Sequence, residues 1–335
     1  MEERYQMGVK FFSLILSAGL ISIIFPSHAE SSSNGAIAVQ PRHSGGETGA
    51  PDAAKYVLEL PESAEHEIVD PGGSITFIGT ATVIIRYAGL TILTDPNFLY
   101  KGEHARLGYG LISKRLINPA IELEDLPPID LIILSHMAGG HFDPLVQEKL
   151  DRNIPIATTE ESAELLKEMG FVTRYPMKTW DFLVLKKGGT SVRVTAMPGR
   201  HGPAVAATFL PAVMGSMLEF KTHDPRLDYR MYISGDTRVY DEIREIARRY
   251  PDVDLALLHL GGTRILGLVT ITMDAAEGIK MMQIIGPRRA IPIHYNDYDV
   301  FKSTLSDFEK EIDRAGLQDR VIYLKHGDMY RFSAK

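Results

Sequence analysis

The chain has 335 residues, 44% hydrophobic and 24% charged, the balance of a globular protein with a buried core. Its formal net charge is -7 and it has no basic block, which argues against a nucleic-acid partner. Cysteine is absent, and that excludes disulfides, thiolate metal sites and cysteine nucleophiles together.

The first segment, 1–29, reads as a secretory signal peptide. "MEERYQMGVK" carries mixed charge, "FFSLILSAGLISIIF" is a continuous apolar run, and "PSHAE" places Ser27 and Ala29 at small-residue cleavage positions. Cleavage is expected after Ala29, giving an exported protein, periplasmic or secreted. An uncleaved membrane anchor is the alternative, although the run is short for a span. Residues 30–54, with "SSSNGAIAVQPRHSGGETGAP", are small, polar and rich in Gly and Pro. They cannot bury enough apolar surface to offset their ordering entropy, so a disordered tether is expected.

From 55 to 335 one domain is expected. "SITFIG", "TVIIRY" and "TILTD" read as strands, with a hairpin turning on Ala88-Gly89. "LIILS" follows, then a helix over 160–169 and the strands "VRVTAM" and "YRMYISGD". A helix over 240–249, the strand "DLALLHL", a helix over 274–285 and the strand "AIPIH" come next. A helix over 303–315 stops at Gly316, and "RVIYLKHGDMYRF" closes the chain as a strand. Hairpins first and strand–helix alternation later predict sheets covered by helices in a layered α/β domain.

Four strands share one feature. "LIILS" runs into His136, with His141 five positions later; "VRVTAMPGR" runs into His201, "YRMYISG" into Asp236 and "AIPI" into His294. In α/β proteins the loops leaving strand ends form the binding crevice, and His and Asp are the donors a borderline ion such as zinc takes. Taken jointly the set points to a metal-site architecture. His259, His66, His104, His223 and His326 are read as structural, since a lone histidine after a strand is more often hydrogen-bonded than ligating. Asp236 in "SGDT" also fits a turn or helix cap when taken alone. No Gly-x-Ser-x-Gly elbow and no phosphate-binding loop are present, so a serine hydrolase or nucleotide enzyme has no support.

The order His136, His141, His201, Asp236, His294, together with "FIGTATVIIRYAGLTILTDPNF", "PGRHGP", "YISGDT" and "IPIHYNDYDVF", resembles the metallo-β-lactamase superfamily. The resemblance covers nearly all of 72–332 and lies toward the ascorbate-6-phosphate lactonase-like and N-acyl-phosphatidylethanolamine phospholipase D-like hydrolases. It implies a four-layer αββα sandwich with two divalent metal ions along one edge, zinc being the expected ion and manganese the alternative. The family motif His-x-His-x-Asp-His falls on 136–141, where Ala138 and Gly140 replace the second histidine and the aspartate. By transfer, the first metal keeps His136, His201 and Asp236. The second keeps His141, His294 and Asp236, with Asp236 as the bridging, catalytic carboxylate. Each metal has lost one ligand.

What the resemblance implies is a hydrolase of an ester, lactone or phosphodiester that uses a metal-bound water, with reduced metal occupancy and weak activity. Loss of the motif aspartate removes a proton-accepting group worth ~10²–10⁴-fold. Asp143 is the nearby carboxylate that would have to swing inward to replace it. The alternative is a catalytically silent relative that keeps the fold as a binding module. The substrate is expected to be a small or lipid-like molecule. Thr263, Arg264 and Tyr295 are candidate substrate contacts, the first two toward an anionic group; a solvated arginine and a packed tyrosine are the competing readings.

Overall fold

Strands in this chain follow a period of two. In "LALLH", Leu255 and Leu257 enter the space between two sheets, while Ala256 and Leu258 face the other way, onto helices. "LIIL" repeats the pattern, with Leu131 and Ile133 turned inward and Ile132 and Leu134 turned outward. Both faces are apolar, and that is the signature of a sheet buried on both sides.

The computed structural model describes residues 53–61, 72–108, 111–265 and 268–332. The expected signal peptide (1–29), the tether (30–54) apart from its last two residues, and His66 lie outside the described residues. Residues Ala53–Lys335 form one compact unit. Among the described residues no helix is long and apolar enough to cross a membrane.

The described residues form eighteen strands, β1 to β18 in chain order. One seven-stranded sheet contains β2 (Gly73–Gly79), β3 (Thr82–Tyr87), β4 (Leu90–Thr94), β7 (Leu131–Ile133), β8 (Ile156–Thr159), β9 (Arg174–Met177) and β18 (Met329–Phe332). Its order is β18-β2-β3-β4-β7-β8-β9. The other contains β1 (Tyr56–Leu60), β10 (Phe182–Lys187), β11 (Thr190–Met197), β12 (Gly215–Lys221), β13 (Tyr229–Ile233), β14 (Leu255–His259) and β17 (Arg289–Ile293). They run in the order β1-β10-β11-β12-β13-β14-β17. Two hairpins, β5–β6 (His104–Gly108, Leu111–Lys114) and β15–β16 (Arg264–Ile265, Val269–Thr270), stand apart from the sheets.

Ile75, Val83 and Ile85 of the first sheet meet Val192, Val194 and Leu218 of the second in the central core. The helices α1 (Pro144–Lys149) and α2 (Glu160–Glu168) cover the outer face of the first sheet through Val146 and Leu166. A short turn of helix, α3 (Ala204–Ala207), follows His201. The outer face of the second sheet carries α4 (Ile243–Arg249), α5 (Ala275–Ile285) and α6 (Leu305–Ala315) through Ile246, Met282 and Phe308. These are the four layers of a metallo-β-lactamase sandwich. The expected helices are present, trimmed by up to three residues at their starts. "RVIYLKHGDMYRF" is not one strand: a turn at Gly327 leaves only Met329–Phe332 paired to β2.

Candidate metal centre

Strand direction decides where the site lies. β4 and β7 are parallel neighbours, so Asp95 and the pair Ser135-His136 leave their sheet at one edge. In the second sheet β13, β14 and β17 are parallel neighbours, with Ile233 opposite Leu257 and His259 opposite Ile293. Asp236, His259 and His294 therefore emerge together. β11 points the same way as β13, because each is antiparallel to β12, and it brings His201 to that edge too.

His136, His141, His201, Asp236 and His294 line one pocket, and each is at most 5% exposed. Ring centroids lie 4.2 Å apart for His136 and His141, 4.6 Å for His136 and His201, and 4.9 Å for His141 and His294. The Oδ2 atom of Asp236 lies 3.1 Å from His141 Nε2 and 3.9 Å from His201 Nε2. Its Oδ1 is 3.5 Å from His294 Nδ1. Two groups, His136 with His201 and Asp236, and His141 with Asp236 and His294, each bring three ligand atoms within 4.8 Å of one another. They contain the residues that the resemblance assigns to each metal.

A third group of the same kind joins Asp95, His141 and His259. Asp95 Oδ2 is 3.3 Å from His141 Nδ1 and 3.4 Å from His259 Nε2, while its Oδ1 accepts from the Ser135 amide at 2.7 Å. The buried His259 ring also meets the Ser234 hydroxyl at 3.2 Å. Sequence reasoning did not single out Asp95 and read His259 as structural. The signal was there, since "TILTD" and "LALLH" are strand exits like the four that were chosen.

Burial alone would lower the pKa of His141, but the carboxylates of Asp236 and Asp95 outweigh it and push it up to about 10. Burial holds His294 down to about 4, and burial with the neighbouring His141 and His201 rings keeps His136 well below the usual range. Burial opposes ionisation of Asp236, yet the His294 and His141 rings hold it well below the usual carboxylate range.

The donor set fits a divalent ion. His201 Nδ1 is tied to the Pro211 carbonyl at 3.0 Å and His294 Nδ1 to the Leu260 carbonyl at 2.9 Å. His136 Nδ1 meets the Ser135 hydroxyl at 3.0 Å, and His141 Nδ1 faces Asp95. Anchored through Nδ1, His201 and His141 keep Nε2 toward Asp236, the arrangement found around metal-binding histidines. Asp236 Oδ1 is buried without a hydrogen-bond partner, a gap that a cation would fill.

Ala138 and Gly140 line the same pocket. Asp143 does not swing toward it. Its Oδ1 caps α1 at the Val146 amide at 2.9 Å, and its Oδ2 accepts from the amides of Phe98 and Leu99. Of the three candidate substrate contacts, Thr263 lies in the wall, and Arg264 and Tyr295 lie outside it. Arg264 is exposed because alternation along β15 turns its neighbour Ile265 inward. Tyr295 turns into the core between the sheets, where its hydroxyl donates to the Leu324 carbonyl at 3.2 Å.

The family model described as the beta-lactamase superfamily domain matches residues 91–295, more than half of the chain, and the chain belongs to this family. It is similar to a UPF0173 metal-dependent hydrolase of Archaeoglobus fulgidus, 28% identical over 77% of this chain and 99% of that protein. It is also similar to the UPF0173 protein YddR of Bacillus subtilis, 26% identical over 77% of this chain and 100% of that one. Among solved structures, the isothiocyanate hydrolase from Delia radicum gut bacteria superposes with a TM-score of 0.64 at 22% identity, covering 78% of this chain and 100% of that one. Igni18, a metallo hydrolase from Ignicoccus hospitalis, gives 0.56 at 20% identity, over 79% and 100%. At these identities the two structures speak for the fold.

Proposed function

We propose that the chain is a metal-dependent hydrolase whose reaction centre is the pocket edged by His136, His141, His201, Asp236 and His294. One observation carries the reading: five donors from four strand exits converge on one pocket, and Asp236 keeps an unsatisfied buried oxygen there. Zinc is the proposed ion, with manganese the alternative, because the donors are imidazole and carboxylate alone. His136, His201 and Asp236 would hold one ion and His141, Asp236 and His294 the other, and such ions would supply Lewis acidity toward a substrate oxygen and acidify a water.

The chain's own residues do the rest. Asp236 shares its carboxylate between the two groups. Asp95 receives His141 Nδ1 and fixes that ring, and the carbonyls of Pro211 and Leu260 fix His201 and His294. In hydrolysis of an ester or lactone, water adds to the carbonyl carbon, the carbon–oxygen single bond breaks, and the water's proton ends on the departing alcohol. Ala138 and Gly140 contribute no ligand and no proton acceptor, so turnover is weak. The same two residues favour the second reading, a silent binding module. Residues 1–29 support export, and N-terminal sequencing of secreted material should find Glu30 first.

The test is a screen of esters, lactones and phosphodiesters with zinc or manganese added. Turnover should vanish with chelator and fall by at least about 100-fold in Asp236→Asn. Hydrolysis that survives chelation contradicts the reading. No turnover under any condition leaves the binding module.

A further inference from the structure

Three flaps roof the pocket, and each turns apolar side chains inward. The β5–β6 hairpin contributes Leu107, the loop after α3 contributes Leu210 and Pro211, and the β15–β16 hairpin with its exit contributes Ile265 and Ile271. Val300 and Phe301 complete the wall beyond His294. The empty space along these walls is about 580 Å³, open solvent at the mouth included.

Among the described lining residues there is no lysine or arginine, although cations are close by in sequence. Alternation along β5 and β15 turns Arg106 and Arg264 to solvent while Leu107 and Ile265 face in. Arg238, two residues after Asp236, donates Nη2 to Glu277 at 2.8 Å and Nη1 to the Thr270 carbonyl. Arg200, beside His201, stacks 4.0 Å over the Tyr240 ring. The flaps are apolar on their outer surfaces as well. Ile112 on β6, Val205 on α3 and Leu268 between β15 and β16 are 62%, 68% and 77% exposed.

Resting on the hydrolase reading, we propose that this pocket selects neutral carboxylic esters, open-chain or cyclic, with apolar substituents, and rejects phosphodiesters. A phosphodiester keeps a full negative charge, and taking it into an apolar cavity requires a partner for its oxygens. Among the described lining residues no lysine or arginine supplies one, and Asp236 is itself an anion. A neutral ester loses little hydration, and its alkyl or aryl arms gain from contact with Leu210, Ile271 and Phe301. The exposed apolar residues on the flaps suit the approach of a sparingly soluble substrate.

The experiment compares two molecules with identical arms, dibutyl ketone (neutral) and dibutyl phosphate (anionic). Binding is measured by calorimetry on the full protein without added metal, so the result does not depend on turnover. The ketone should bind at least about 10-fold tighter than the phosphate. In Leu210→Lys, on a half-buried loop, the ratio should fall or reverse; Val300→Lys is the second variant, from another segment of wall. Equal or tighter binding of the phosphate by the parent protein overturns the proposal. Ketone preference without hydrolysis of any neutral ester supports the selectivity and removes the hydrolase reading. Phosphate preference with metal-dependent turnover overturns the selectivity and leaves the hydrolase reading standing.

Discussion

Gly139 and Gly140 are adjacent, yet they answer to different demands. A Cβ on Gly139 would sit 2.4 Å from the Arg106 carbonyl oxygen, where the loop presses against β5. A Cβ on Gly140 would meet only the end of Leu107 at 3.5 Å, an ordinary contact, and its backbone is not among the left-handed residues. Gly139→Ala should therefore destabilise the fold by about 1–3 kcal/mol, as overpacking against backbone does, and Gly140→Ala by less than about 1 kcal/mol. Urea unfolding of both variants checks this, and equal costs would contradict it. The contrast explains why the segment between His136 and His141 was only half legible. Ala138 and Gly140 stood out as departures from a ligand pattern, but the reason for Gly139 depends on β5, which no local pattern announces. Asp95 and His259 stayed hidden for a related reason. Each is one strand-end residue among many, and their partner is His141, on another segment of the chain.

At the scale of elements, strand ends carry most of what the sequence could tell. Period-two alternation and apolar runs located the strands, and parallel exits at one edge were foreseeable from a layered α/β fold. What failed is the side chain's heading one residue further on. Tyr295 follows His294, whose φ of +60° turns the chain and sends the tyrosine into the inter-sheet core. Asp143 is a structural joint: it caps α1 and holds the amides of Phe98 and Leu99. Asp143→Ala should cost about 2–4 kcal/mol, the loss of a cap plus stranded amides, measured by denaturation. A cost below about 0.5 kcal/mol would deny the joint. Another joint is sensitive to pH. His326 lies 3.1 Å from Asp297, a buried carboxylate that also accepts from the Thr80 amide. Burial would lower the His326 pKa, but the Asp297 contact raises it above its usual 6.5. Its stabilising contribution is therefore full below that value and declines as pH rises through the raised one. The destabilisation caused by His326→Gln should be larger at about pH 5.5 than at about pH 8.5 in urea melts, and the reverse order would contradict the assignment.

At the scale of the whole molecule, the two sheets do separate work. The first carries His136 and His141 with their supporting Asp95, and the second carries His201, Asp236, His259 and His294. The site exists only where the two sheet edges meet, so the layered fold could be read from pattern while the distances across the seam could not. The proposed metal centre at this seam is short of two ligands, at positions 138 and 140. Ala138→His and Gly140→Asp return an imidazole to the group of His136 and His201 and a carboxylate to the group of His141 and His294. Residue 138 already carries a Cβ, and a Cβ at residue 140 would meet only the end of Leu107 at 3.5 Å. Residues acting as a unit do not contribute independently, so the pair should exceed the sum of its parts. The decisive measurement is metal content per chain by elemental analysis, for the parent and the double variant treated identically with zinc. About two ions are expected in the double variant and clearly fewer in the parent. Equal metal content in the two proteins would contradict this expectation.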